Sequence, residues 1–567
     1  MQASSVKSSP SSDKVEAFFQ RYKNWTLIIL MLTALLIRIY RLGKYSLWGD
    51  EADTIWAGLK HLYFHPPLFI CLASWWIKWA KSEFGLRLLP MIFSVATVAA
   101  TWFLAKRILQ SHHGAFWASL FIVFSPSQVY FARDFRMYSL FTLVAALSWL
   151  TYLAWMKKGG WLLYLTTVLT GAVMVYTHHY GFFFIAAQGL SAFVIRPYKK
   201  SLSKLASYAV SVFLIYYPYL RQLLYLAKGF VGSNNWALPV TWKTPIYLMR
   251  FLLAGLEAPR IVVVILGIIG ASLAIVGFLQ HKSFEFRLLI VFGFVVPIIG
   301  AMAVSYILPT SMLVARYLIF TAIPLAIAMA AGIEALFDKK WCVVFTVYFL
   351  ILQSWAITLQ YRNIYLAQSR EVREREQFHE AADVILQSFE DGDIVGTTCL
   401  SGTYPAWYYL TYLHNIPMRL VDVDDYQREH LRLKYNQDDF IRDFYTIIYP
   451  INLDELEASG DYRRIWLYES QWEPGVRPGD FYYDQRLRCR NWLSERHPLL
   501  GEWVFKGVDV RLFDLRIPIP RGYKRSDDEQ SYRGGETPAE ELLPETTDRP
   551  SDRPAPDWHQ QFQPTLQ

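Results

Sequence analysis

Apolar stretches close to the length of a bilayer-spanning helix, about 20 residues, recur through the first 360 residues of the chain. Segments at roughly 25–42, 86–105, 114–131, 137–155, 161–177, 181–195, 205–220, 261–279, 288–308, 317–336 and 341–359 read as spans, eleven in all. That pattern predicts an all-α polytopic membrane bundle. Composition agrees: 53% hydrophobic, 17% aromatic and 18% charged residues leave too few charges and too many Trp, Tyr and Phe for an ordinary soluble protein. The formal charge of +8 does not point to nucleic acid, because Lys and Arg fall in short clusters between apolar runs, as membrane topology requires.

The segment 66–79 is apolar but short and opens on Pro66-Pro67. If it lies along the surface as an interfacial helix, one side of the membrane receives Lys7, Lys14, Arg21 and Lys23, then Lys106-Arg107, Lys157-Lys158, Lys199-Lys200, Lys282 with Arg287, and Lys339-Lys340. Every basic cluster then obeys the positive-inside rule, whereas a spanning reading breaks the agreement. An odd number of spans makes the N-terminus cytoplasmic and puts everything after Leu359 outside, as expected for an integral multi-pass protein of a bacterial inner or plasma membrane. Residues 1–24, with a Ser-rich start and no cleavage-like site, read as a cytoplasmic tail, and 25–360 as the membrane domain.

From about Tyr361 the texture changes. Charged, helix-like sequence from Arg370 to Phe389 leads into Ile394-Val-Gly-Thr-Thr, and the runs 464–468 and 503–513 read as strands, so 361–523 is expected to be a small soluble α/β domain. Residues 524–567 are dense in Asp, Glu, Pro and Thr without apolar periodicity and read as disordered. Cys71 and Cys342 fall in apolar segments as packing residues; Cys399 and Cys489 share the outer compartment, which permits a disulfide that their spacing does not demand.

This topology sorts the polar residues. At or near the outer face lie Asp50, Glu51, Asp53, His65, Arg87, Arg133, Asp134, Arg136, Tyr138, His178, His179, Arg221, Glu257, Arg260 and Arg316, while the inner loops carry mainly Lys and Arg. Each has a bland reading: acids at helix ends are often only solvated, arginines snorkel, His178-His179 caps a turn, and Tyr138 and Trp48 anchor at the interface. Convergence of acids, arginines and histidines from distant parts of the chain on one face outweighs it, because carboxylates beside a membrane helix are expensive to dehydrate without a purpose.

The order of short motifs carries a resemblance. Asp50-Glu51, His65-Pro-Pro-Leu68, Phe84-Gly-Leu-Arg-Leu-Leu-Pro90, Ser125-Pro126 with Ala132-Arg-Asp-Phe-Arg-Met-Tyr138, Tyr176-Thr-His-His-Tyr180 and Ala315-Arg-Tyr-Leu318 occur in one series over about 25–359. In that order they resemble the C-type membrane glycosyltransferases, in the branch of protein O-mannosyltransferases and lipid A aminoarabinose transferases. The resemblance implies a C-type fold and a donor built as a sugar on a polyprenyl phosphate. It implies catalytic roles for Asp50, Glu51 and Asp134, and substrate-binding roles for His65, Arg87, Arg133, Arg136, Tyr138, His178, His179 and Arg316. It also implies a divalent metal (Mg, Mn or Zn) held by Glu51 and His65, with no nucleotide. The acceptor is expected to be a protein, a lipid or a glycan.

The chemistry suits these side chains. A sugar leaving a lipid phosphate develops oxocarbenium character while negative charge grows on the phosphate; a carboxylate near the acceptor hydroxyl takes its proton, and fixed cations or a metal stabilise the leaving group. Rival readings are a polysaccharide polymerase or ligase, a lipid or solute transporter, and a non-catalytic scaffold. A transporter would want ionisable residues at mid-membrane and repeat symmetry, not a cluster at one face.

Overall fold

The computed structural model describes residues 10–61, 66–195, 198–230, 240–241, 243–255, 258–307, 313–336, 340–365, 375–398, 400–414, 420–423, 449–451, 453–470 and 481–517. The expectations for His65, Glu257, Cys399, the first nine residues and 524–567 fall outside these. Six helices are long and apolar enough to cross a membrane: Glu83–Leu109, Tyr138–Lys158, Arg260–Gln280, Phe284–Ile307, Ala315–Leu336 and Lys340–Tyr361. Two bent pairs, Lys14–Arg21 with Lys23–Ile39 (74°) and His112–Val123 with Pro126–Ala132 (58°), raise the number to eight. The chain is an integral membrane protein. Along Arg260–Gln280, Ile261, Val264, Ile268, Ile275 and Leu279 stay exposed on the helix, as a lipid-facing stripe requires.

Eleven spans is therefore more than length and composition support among the described residues. Trp161–Thr177 and Gly181–Ser191 have 17 and 11 residues, and 205–220 is only the middle of a 33-residue helix, Tyr198–Phe230, that carries Pro218 and charged ends. Pro67–Trp76, at ten residues, is about 15 Å long, half the hydrocarbon thickness.

Two local devices shape the bundle. Ser125-Pro126 interrupts the third apolar segment, and the carbonyls of Ile122 and Val123 accept hydrogen bonds from the buried Arg38 guanidinium at 3.1 and 3.2 Å, while its Nε donates to Ser94 Oγ at 2.7 Å. An arginine inside the bundle is thus satisfied by the carbonyls that a helix break releases. Arg260–Gln280 and Ala322–Leu336 cross almost backbone to backbone: a Cβ on Gly277 would lie 2.1 Å from Ala328 O, and one on Gly332 2.0 Å from Leu273 O. Glycine is what admits this approach.

Beyond the last span a six-stranded sheet has the order β3-β2-β1-β4-β6-β5, built from β1 (Asp393–Thr397), β2 (Leu420–Val423), β3 (Tyr449–Ile451), β4 (Arg464–Ser470), β5 (Leu499–Phe505) and β6 (Val508–Asp514). The first four strands run parallel, and β6 pairs antiparallel with β4 and β5. The run 503–513 is a hairpin rather than one strand, turning at Gly507 with φ 79°. Alternation sorts the faces. Val395, Trp466, Tyr468, Val510 and Leu512 join the large core shared with the helical bundle, and Ile394, Ile465, Leu467 and Phe513 pack with Leu453, Cys489 and Leu493. Cys71 is exposed, whereas Cys342 and Cys489 are buried.

Candidate active site

The helix Gly49–Lys60 starts directly after extended Trp48 (φ −94°, ψ 174°). Asp50 and Glu51 occupy its first turn, where carboxylates complement the unpaired N–H groups and dipole. Successive helical residues do not share a face, so the two acids part company. Glu51 turns inward and is fully buried; the Asp50 side chain stays 36% open.

Both Glu51 oxygens are filled. Oε1 accepts from Arg87 Nε at 2.9 Å and Phe135 N at 2.8 Å; Oε2 accepts from Arg87 Nη2 at 2.7 Å, and from Trp48 N and Arg375 Nη1 at 3.3 Å. Burial alone would raise this carboxyl, but the Arg87 and Arg375 charges hold it below the ordinary glutamate value. Arg87 spends its remaining donors on the carbonyls of Leu42, Tyr45 and Ser46. It locks the loop before the helix. Asp134 is also wholly buried, accepting from Trp48 Nε1 at 2.8 Å with Arg375 Nη2 at 3.8 Å. Burial, reinforced by the Glu51 charge, pushes its carboxyl up to about 6 against the pull of Arg375.

The open side of the helix is different. Asp50 Oδ2 faces Arg316 Nη1 at 3.6 Å, and the Arg316 guanidinium lies over the rings of Tyr317, Tyr138 and Trp48 at 5.6, 5.8 and 6.0 Å. Arg136 Nη1 donates to Asp50 O at 3.0 Å and Thr54 Oγ1 at 2.7 Å, and stands 3.9 Å from Asp53 Oδ2. The His178 ring packs 4.6 Å from Tyr317 and 6.1 Å from Tyr138. Burial first, then His179, Arg316 and Arg136, keep it neutral. Its Nδ1 accepts from Tyr180 N at 3.1 Å, which assigns the proton to Nε2.

Of the expected site residues, the fold gathers Asp50, Arg136, Tyr138, His178 and Arg316 around one opening, with Glu51, Arg87 and Asp134 in the buried layer beneath. Arg133 goes elsewhere: its guanidinium donates to Arg41 O at 2.8 Å and sits 4.9 Å over Tyr361. His179 is drawn down to about 4 by burial. Arg221 and Arg260 are exposed side chains outside this group. Two participants escaped the sequence reading. Tyr317 stood inside a quoted motif without a role, and Arg375 sat in a segment read only as charged. No three His, Cys, Asp or Glu side chains among the described residues gather to hold a metal, and the Glu51 oxygens already carry five donors.

Neither the protein-family models nor the curated protein sequences match the chain. Solved structures do. ArnT from Cupriavidus metallidurans bound to undecaprenyl phosphate aligns with a TM-score of 0.56 over 86% of this chain and 98% of its own, at 11% identity. The apo form of the same protein gives 0.56 over 87% and 98%, at 12% identity. The chain has the fold of a C-type glycosyltransferase. The aligned 86% of this chain is more than its helical bundle alone, so the likeness extends into the C-terminal sheet region. The archaeal oligosaccharyltransferase AglB from Archaeoglobus fulgidus, in complex with an inhibitory peptide and a dolichol-phosphate, also aligns, at 11% identity over 86% of this chain and 74% of its own, with a TM-score of 0.45.

Proposed function

We propose that the protein is a membrane glycosyltransferase that moves a sugar, a mannose-like hexose or a pentose, from a polyprenyl-phosphate donor to a protein, lipid or glycan acceptor at the outer face of a bacterial plasma membrane. One observation carries this reading: a half-open carboxylate, Asp50, stands opposite a ring-lined arginine, Arg316, in a chain with this fold. ArnT is described as bound to undecaprenyl phosphate, and a lipid-phosphate donor has the charge that Arg316 and Arg136 complement.

Asp50 takes the proton of the acceptor hydroxyl as that oxygen bonds to the anomeric carbon, while the bond from that carbon to the phosphate oxygen breaks. The negative charge left on the phosphate meets Arg316, and desolvation strengthens the pairing. Tyr138, Tyr317 and Trp48 hold the guanidinium in place. Neutral His178 offers an Nε2–H donor. Glu51, Asp134, Arg87 and Arg375 act as positioning groups. A divalent ion is not used in this scheme, because its expected ligand Glu51 has no oxygen free of donors. A single displacement of this kind inverts the anomeric configuration.

A donor panel in liposomes tests the assignment. Polyprenyl-monophosphate sugars should support turnover and nucleotide sugars should not; robust turnover from a nucleotide sugar without lipid carrier overturns it. Asp50→Asn should lower turnover about a hundredfold or more with an unchanged unfolding midpoint. Retention of configuration in the product excludes the single displacement. The proposed orientation, with the Lys157-Lys158 loop cytoplasmic and His178 outside, is checked by labelling Lys158→Cys with an impermeant reagent, which should fail from outside.

A further inference from the structure

A charged cavity lies at the far end of the same helices. Glu83–Leu109 begins beside Glu51 at Arg87 and ends at Arg107, about 30 Å away at 1.5 Å per residue, so the cavity opens near the membrane face opposite Asp50. Its volume is about 720 Å³, within the usual range of small-ligand sites. Five cations from three parts of the chain line it: Arg107, Lys157, Lys158, Lys200 and Lys204.

As isolated clusters these residues need no explanation beyond topology, since positive-inside charges have only to stay in their loops. Convergence on one cavity is a further property. Among the described residues the single carboxylate on the wall, Glu285, is shared by Arg107 at 3.2 Å and Lys157 at 3.4 Å. Lys204 Nζ donates to the carbonyls of Trp155 and Met156 at 2.9 Å each, capping the end of Tyr138–Lys158. Five cations against one carboxylate leave a strong positive excess. Apart from Gln110, Ser201 and Ser283, the rest of the wall is apolar, with Leu153, Met156, Val194 and Leu288 among its residues, and the neighbouring Phe193 and Leu190 are exposed. A site with a cationic end and an apolar side between membrane helices fits an amphiphile.

We propose that this cavity binds the headgroup of an anionic phospholipid, with the phosphate held by Lys158 and Lys200 and the acyl chains leaving along Val194 and Leu190. The site is separate from the donor site and does not depend on the proposed transferase activity. The ligand chemistry is a phosphodiester attached to hydrocarbon, drawn from the leaflet that the cavity faces.

The full-length protein is purified in detergent micelles containing equal amounts of phosphatidylglycerol and phosphatidylcholine, and retained lipid is counted by native mass spectrometry. The wild type should retain phosphatidylglycerol preferentially, and less of it as NaCl is raised. Removing one lysine should weaken retention about fivefold, and the double variant Lys158→Gln/Lys200→Gln about twentyfold or more. The charge-matched control Lys14→Gln/Lys340→Gln, which changes basic residues outside the cavity, should bind as the wild type does. Equal losses in the two double variants, or no preference for phosphatidylglycerol in the wild type, overturn the proposal. So does displacement of the lipid by equimolar inorganic phosphate, which would make the cavity a free-anion site.

Discussion

At Glu51 a carboxylate without access to solvent is balanced by two guanidiniums that have little access either. Removing one partner of a buried ion pair costs about 3–5 kcal/mol, because the charge left behind stays desolvated. Glu51→Gln leaves Arg87 and Arg375 facing a neutral amide and turns two acceptor oxygens into one. The expected outcome is a clear fall in the detergent unfolding midpoint together with lost turnover, whereas Asp50→Asn, on the open side, should lose turnover alone. Equal midpoints for the two variants would falsify this division. The sequence named both acids and placed them at the outer end of the first helix. It could not tell the proposed base from the brace, because that difference is set by partners as remote as Arg375, 324 positions from Glu51. Arg316 was singled out by its motif; the ring wall around it was only half legible, since Tyr138 was expected in substrate binding or as an interfacial anchor, whereas Tyr317 stood in its motif without a role.

Helix by helix, apolar content located the long spans but not their interruptions. Ser125-Pro126 was visible as a motif, yet nothing local shows that Arg38 crosses the bundle to accept the task of capping Ile122 and Val123. The break matters to the proposed site, because the short helix after it, Pro126–Ala132, delivers the loop carrying Asp134 and Arg136. The crossing of Arg260–Gln280 with Ala322–Leu336 is equally hidden, since glycines are common in membrane helices and only contact identifies which ones are obligatory. Gly332→Ala puts a methyl 2.0 Å from Leu273 O, a backbone atom that cannot rotate away. The two helices must separate, at an expected cost of about 1–3 kcal/mol. Gly267, whose added Cβ meets nothing within 4 Å, supplies the control on the same bundle. A fall in midpoint for Gly332→Ala with none for Gly267→Ala supports the crossing; equal effects contradict it.

Across the whole molecule, the sheet region is fastened to the loop that carries Asp50. Leu47 N donates to Tyr409 Oη at 2.7 Å, that hydroxyl donates to Glu83 at 3.1 Å, His379 N donates to Ser46 Oγ at 3.0 Å, and Arg375 reaches Glu51. The two parts therefore share one network, and its titratable joint is His379. The imidazole stacks on Tyr409 at 5.0 Å, with Nδ1 3.1 Å from Glu83 and Nε2 3.6 Å from Asp383. The hydrogen bond to Glu83 raises its pKa above the ordinary histidine value, with burial opposing and Asp383, Glu83 and Glu380 adding charge attraction. A histidine whose folded pKa is raised contributes stability that is complete below its unfolded value of about 6.5 and is lost as pH rises through the folded value. The fastening should accordingly be firm at pH 6 and weaker above neutrality. Hydrogen exchange of the backbone around Phe378–Ser388 should quicken on going from pH 6 to pH 9 by more than the intrinsic rate increase. In His379→Gln, which keeps a polar side chain but cannot titrate, that extra acceleration should vanish. If the variant and the wild type show the same excess, the pH response belongs to another group and His379 is only a stacking partner for Tyr409.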